Sequence, residues 1–385
     1  MSRSSVEIVP IQDSQGRRRF VLFPWLIYRN DPLWVPPLIR SQLKTLDPQR
    51  GSFFRYGEAA LFMARRDGQD VGRIAGWISH RSNTYLNEKA AGFGFFESID
   101  DDEVATALLD AACDWARSRG MEVIRGPFYF SMDDSPGVLI EGFDRPPVLL
   151  CGHTPPYYAR LLEQYGMLKY REAYAYYADL GMISDVKDLP AKIWRVADIV
   201  RERTGVQVRT ARVEDWDREV DRVMYLVNTA MGSMRNHVPM DEQEFKRFVE
   251  ELKRVIDFEL VFFAEVNGET IGFSATLPDI NQALKPVNGR LFPLGWLRLW
   301  WGMRHINAAS LKLLAVLEEY RGRGLDALFY VETARALLRK GYVWADMSLT
   351  AEDNVEINKL VRKLGMRRYK VYRTYYKPLS SVLSS

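Results

Sequence analysis

Residues 161–180 (LLEQYGMLKYREAYAYYADL) and 360–379 (LVRKLGMRRYKVYRTYYKPL) align without a gap at an offset of 199. Identities fall at Leu161/Leu360, Gly166/Gly365, Met167/Met366, Tyr170/Tyr369, Tyr176/Tyr375, Tyr177/Tyr376 and Leu180/Leu379. Each copy shows helical apolar spacing, then a glycine suited to a helix C-cap, then an aromatic-rich strand. Repetition of such a unit directs the chain toward two related domains, which excludes most single-core folds.

The repeat extends upstream at a different offset. Residues 104–120 (VATALLDAACDWARSRG) and 325–341 (LDALFYVETARALLRKG) both read as amphipathic helices ending in basic residues and Gly, 221 positions apart, and 121–125 and 342–346 read as the strands that follow. The offset falls from 221 to 199, so the first copy carries about 22 extra residues, placed in the Pro- and Gly-rich stretch 127–154. Its apolar content predicts an ordered insertion. In the second half, 206–212 reads as a strand, 213–230 and 241–255 as helices, and 259–266 with 269–276 as a hairpin turning at Asn267-Gly268. A further strand covers 308–317. The first half shows the matching hairpin, 60–66 and 71–79 around Asp67-Gly68, and a strand over 91–97. The reading is an α/β fold of α+β character with mixed sheets, divided into domains 1–185 and 186–385.

With 385 residues, 47% of them apolar, the chain can build two cores of ordinary size. The 53 basic and 50 acidic residues nearly cancel, which argues against a nucleic-acid partner. Cys113 and Cys151 are too few for a metal cluster or a secreted disulfide framework, so no metal is expected and a reducing compartment is. The first twenty residues hold Arg3 and Arg17 to Arg19 without an apolar core of signal length, and no apolar run reaches about 18 residues. The expected location is cytoplasmic, with at most peripheral membrane contact.

The segment 314–330 (LAVLEEYRGRGLDALFY) runs from an apolar strand through Arg321-Gly322-Arg323-Gly324 into an amphipathic helix. A glycine loop at a helix N-terminus lets backbone N–H groups approach phosphates, and the helix dipole favours their charge. The order strand, glycine loop, helix, strand, then Asn354 to Met366 and a Tyr-rich strand resembles the acyl-CoA-binding half of the GNAT superfamily of N-acyltransferases. That family's loop pattern, Gln/Arg-x-x-Gly-x-Gly/Ala, is met by Arg321 and Gly324; its later helix pattern is met by Asn354, Leu360 and Gly365. The resemblance covers residues 206–378 and, through the repeat, 6–180 in fold. The whole chain is similar to bacterial tandem-GNAT proteins.

The resemblance implies an acetyl-CoA or acyl-CoA donor held by Val316, Arg321, Gly322, Arg323, Gly324, Leu325 and Asn354, with strand N–H groups near Val316 polarising the thioester carbonyl. It implies transfer to the amine of a small-molecule or lipid acceptor, with Glu318 placed to take its proton. Two departures stand out. Asp326 replaces the last Gly or Ala of the loop pattern, and Val361 occupies the position of the Tyr that protonates the leaving thiolate. Tyr320, Tyr372 or Tyr375 then serves as the acid, or the thiolate leaves unaided. At offset 221 the loop falls on Asp100, Asp101, Asp102 and Glu103, which would repel a pyrophosphate but cap a helix well. The first domain reads as a degenerate copy.

Residues 280–317 contain no Asp or Glu but carry Lys285, Arg290, Arg298, Arg304 and Lys312. Within them, 294–305 combines Trp296, Trp300 and Trp301 with Arg298, Arg304 and His305, a composition suited to an anionic membrane boundary, to an acyl-chain tunnel or to packing in a core. His237 and His305 are further candidate bases, and Asp133 and Asp134 candidate acceptor contacts. The expected function is acyl-CoA-dependent N-acyl transfer; the alternative is a noncatalytic acyl-CoA- or lipid-sensing module.

Overall fold

The computed structural model describes residues 5–130, 137–231, 238–239, 242–253 and 255–379. In chain order the elements are β1 (Glu7–Ile11), α1 (Ser14–Leu22), α2 (Pro24–Ile27), α3 (Ile39–Thr45), β2 (Gly57–Arg66), β3 (Gln69–Ser79), α4 (His80–Leu86), β4 (Ala90–Ser98), α5 (Asp102–Ser118), β5 (Val123–Gly126), β6 (Val138–Glu141), α6 (Tyr158–Gln164) and β7 (Leu168–Asp179). The second copy follows with α7 (Ala191–Thr204), β8 (Gln207–Thr210), α8 (Trp216–Met231), α9 (Glu242–Leu252), β9 (Val261–Val266), β10 (Glu269–Pro278), α10 (Asn281–Leu284), α11 (Gly295–Met303), β11 (Ala308–Val316), α12 (Leu325–Arg339), β12 (Trp344–Ala351), α13 (Val355–Lys363) and β13 (Arg367–Pro378). The chain divides into two compact units: unit 1 holds residues 1–173, 283–301 and 370–385, and unit 2 holds 174–282 and 302–369.

In unit 1, β1 to β4 are successively antiparallel, β4 and β5 are parallel, and the end of the chain adds β13 antiparallel to β5, with Tyr375 opposite Gly126. The β2–β3 turn puts Asp67 at φ 52° and Gly68 at φ 77°, the left-handed pair that a tight hairpin needs. Helix α5 lays Val104, Leu108, Leu109, Ala112 and Cys113 against Ile74, Phe93 and Ile124 in one core. Aromatic residues from α1, β3, β4 and the 128–130 segment form a second. Strand β6, which lies inside the 127–154 stretch, pairs with β13.

In unit 2, β8, β9, β10 and β11 are successively antiparallel and β11 and β12 are parallel. Asn267 (φ 52°) and Gly268 (φ 84°) make the equivalent hairpin turn. Helices α7 and α12 cover one face through Ile193, Ala197, Val200, Leu328, Phe329 and Leu337, and α8 covers the other through Leu226 and Ala230. Residues 191–204, which the sequence reading leaves without an element, are thus a core helix.

Candidate functional site

The site begins with a defect in β11. Thr276 faces Leu311 and Ala275 faces Leu313, so Lys312 is an extra residue in the β10–β11 ladder. Such a bulge bends its strand and ends regular pairing. The parallel pairing of β11 with β12 runs from Ala308/Trp344 to Leu311/Met347 and goes no further, although both strands continue. Beyond the bulge, β11 presents an edge to β12 that carries no strand partner in this register.

At the end of that edge lies the glycine loop. Leu317 leads into a 3-10 turn, Glu318–Tyr320, and Gly324 (φ 85°) is the N-cap of α12. Among the described residues no side chain caps this helix, which leaves its first N–H groups available for an anion. Gly324 also fits a close contact: a Cβ there would sit 2.6 Å from Val196 Cγ1 of α7. Arg321 braces the loop, donating to the carbonyl of Val316 at 3.2 Å and to that of Ala230 at 2.5 Å, while exposed Arg323 lies over the Tyr320 ring.

Beside the bulge is a buried polar cluster that depends on the β11–β12 register. Ser310 and Asp346 stand opposite each other, and the Ser310 hydroxyl donates to the Asp346 carboxylate. Ser348 donates to the same oxygen at 2.5 Å, and Tyr369 to the other at 2.9 Å. The Lys312 ammonium donates to Ser348 at 2.8 Å and lies 3.8 Å from Asp346. Trp344 and Tyr177 pack around the Tyr369 ring and hold its hydroxyl in place. Three hydroxyl donors and a nearby ammonium satisfy the buried carboxylate oxygens, and the hydrogen bonds connect them to a chain of exchangeable protons.

Of the expected site residues, Val316, Glu318, Tyr320, Arg321, Gly322, Arg323, Gly324 and Leu325 form one continuous strand–loop–helix element. Glu318 is exposed, and Tyr320 packs between the two cores of unit 2. Asn354 caps α13 by accepting from the Ile357 N–H. Tyr372 belongs to unit 1, fully buried, with its hydroxyl donating to the Gly152 carbonyl at 3.0 Å, and Tyr375 donates to Glu163 there. Val361 is a core residue with Leu311 and Met347. His305 is exposed. His237, Asp133 and Asp134 lie outside the described residues. Sequence reasoning missed Ser310, Asp346, Ser348 and Tyr369; an Asp and a Ser two apart on a parallel strand were the available signal.

The equivalent corner of unit 1 is built differently, and the sequence offset of 221 does not hold across it. Residues 317–323 separate β11 from its helix cap, whereas only residues 99 and 100 separate β4 from Asp101, the N-cap of α5. Asp101 accepts from the N–H groups of Glu103 and Val104. Arg66 binds Asp101 and Glu103, and Arg160 binds Asp100 and Asp102. This helix end is closed by its own side chains.

Comparison with known proteins gives two long matches. The chain is 31% identical over 391 residues to the bacterial ceramide synthase of Caulobacter vibrioides, covering 98% of this chain and 99% of that protein. It is 30% identical over 369 residues to protein YghO of Escherichia coli, covering 94% and 93%. No family model matches. Among solved structures, a tandem GNAT protein from the clavulanic acid biosynthesis pathway aligns with TM-score 0.57 at 15% identity, over 98% of this chain and 99% of that one. A GCN5-related N-acetyltransferase from Sphaerobacter thermophilus aligns with TM-score 0.54 at 13% identity, over 97% and 96%. At these identities the structures speak for the fold.

Proposed function

Because the chain belongs to the family of the bacterial ceramide synthase of Caulobacter vibrioides and has a tandem-GNAT fold, we propose that it transfers an acyl group from an acyl-CoA to the amine of a long-chain amino alcohol. A ceramide is the fatty amide of such an amine, so the relative's name supplies both the bond formed and the class of acceptor. The observation that carries the reading is the uncapped glycine N-terminus of α12, joined by the loop 317–323 to the bulged strand β11.

On this reading the diphosphate of CoA lies on the first N–H groups of α12, and the thioester runs along the open edge of β11, where a strand N–H near Val316 polarises its carbonyl. The neutral amine attacks that carbon; a C–N bond forms, the C–S bond breaks, and the proton released from nitrogen as the amide forms passes to the sulfur, so CoA leaves as the thiol. An alkylamine is protonated at neutral pH, so it must lose a proton before attack. At about 3.3 Å per strand residue the buried cluster of Asp346, Ser348, Tyr369 and Lys312 lies on the order of 13–20 Å along β11 from Val316, so it receives the proton through a chain of water, and exposed Glu318 is the carboxylate on the loop side.

Purified protein supplied with acyl-CoA donors and amine acceptors, assayed for free thiol and for the amide product, tests the proposal. Thiol release dependent on a long-chain amino alcohol supports it. The noncatalytic sensor has one observation in its favour, the burial of Val361 at the position of the family's proton donor. Tight acyl-CoA binding with no thiol release for any amine would replace the enzyme by that sensor.

A further inference from the structure

Phe292, Leu294, Trp296, Leu297, Trp300 and Trp301 are each 42–64% exposed, six large apolar side chains within ten residues of unit 1. Single exposed hydrophobes are ordinary; a contiguous set containing three Trp marks an interaction surface. The segment that presents them is firmly built. Ile39 N–H donates to the Gly289 carbonyl at 3.0 Å, Trp25 donates to the Asn288 side chain at 2.7 Å, and Val287 is buried. A side chain at Gly289 would meet both Trp25 and the Pro37 carbonyl. The backbone is therefore held while the apolar side chains point away from their own core.

The charges around this surface select the partner. Residues 280–317 contain no acidic group, and Lys285, Arg290 and Arg298 are exposed beside the apolar set, as is Arg40, whose guanidinium lies over the Phe292 ring at 5.3 Å. Trp and Arg together suit the headgroup layer, where an indole ring sits between water and acyl chains and a guanidinium meets phosphate. No helix among the described residues is long and apolar enough to cross a membrane. We propose that this face docks the protein on the surface of an anionic lipid bilayer, with Trp296, Trp300 and Trp301 inserted at the headgroup level and the basic side chains on the phosphates. The proposal does not rest on the reaction assigned above.

Vesicle co-sedimentation with the full chain tests it, using vesicles of phosphatidylcholine alone and vesicles containing one part phosphatidylglycerol to two parts phosphatidylcholine. The expected result is binding to the anionic vesicles, with a blue shift of Trp emission. R290E/R298E should lower that affinity at least about tenfold, since each basic group near an anionic surface contributes roughly fivefold. The triple variant W296S/W300S/W301S should abolish sedimentation while keeping the thermal melt of the wild type, because these side chains are exposed. Wild-type protein that stays in the supernatant with both vesicles, or a triple variant that binds as wild type, overturns the proposal. So does a wild-type dimer in sedimentation velocity that the triple variant dissociates, without vesicle binding: the face would then belong to a second copy.

Discussion

The Lys312 ammonium lies 3.8 Å from the Asp346 carboxylate, both almost wholly buried, at the point where β11 and β12 stop pairing. The pair places opposite charges inside the protein beside the strand edge assigned to the thioester. Removing one partner leaves the other uncompensated, which costs about 3–5 kcal/mol at such sites. Asp346→Asn is therefore expected to be less stable by that order and to lose 10² to 10⁴ of turnover, about the range for a lost proton acceptor. The double variant Lys312→Met/Asp346→Asn should recover much of the stability in denaturant titration but none of the turnover. Recovery of activity in the double variant, or Glu318→Gln falling as far as Asp346→Asn, would move the proton-accepting role elsewhere.

The two helix starts predict opposite outcomes for single substitutions. Gly324→Ala puts a side chain into a left-handed residue and against Val196, a strain of at least about 1–2 kcal/mol, and should weaken acyl-CoA binding in calorimetry. Asp101→Ala removes the α5 cap, with a stability loss of about 1 kcal/mol, and should leave acyl-CoA affinity unchanged. Equal losses of affinity would place a donor site in both units.

Acyl chain length should register in binding if the donor is a fatty thioester. Each methylene transferred from water contributes about 0.8 kcal/mol, so two added carbons should tighten binding by roughly fifteenfold until the chain outruns its site. A flat series from acetyl-CoA upward would restrict the donor to short acyl groups.

Unit 1 should respond to acid through His153. Its Nε2 is 2.7 Å from Asp31 Oδ2, it is packed against Tyr28, and its Nδ1 has no partner among the described residues. Burial pushes its pKa below 6.5; Asp31 opposes that, and the positive charge of Lys370 adds to it. A depressed value means the unfolded chain binds more protons, so this contribution is present above about pH 6.5 and is lost as pH falls toward the folded value. Glu97 has the opposite sign. Burial raises its carboxyl, against Arg73, Tyr158 and Tyr28, so its contribution is present below 4.5 and is lost as pH rises through the raised value. The two act against each other in this range, so the comparison isolates the histidine: on acidification below pH 6.5 the melting temperature of His153→Gln should fall less, or rise more, than that of the wild type; parallel curves would assign the acid sensitivity to other groups.

The repeat, the hairpins and the loop were legible because each is local: two left-handed turn residues between alternating strands, or glycines between a strand and an amphipathic helix. Helix boundaries moved by up to three residues, as at α8 and α9, and by two at α5, where Asp101 supplies the cap. The Asp346 cluster was not legible, because it needs a register across two parallel strands and a tyrosine brought back after α13. Nor could spacing show that unit 2 has a longer strand-to-helix connection than unit 1, since the surplus is offset by shifts elsewhere. The Trp-rich segment was readable in composition alone; its exposure was decided by the contacts of Asn288 and Gly289.

Strand β5 has its neighbour Tyr375 roughly 250 residues further along the chain. At synthesis rates of about 5–20 residues per second, the edge of β5 waits some 12–50 s for that strand to be made. For that time the unit made first has an unfinished sheet, with backbone N–H and C=O groups open to any other extended segment. Although its other strands and α5 come first, unit 1 is therefore the later of the two to close, and a ribosome stalled before Lys370 would release a chain with a bare sheet edge, open to aggregation.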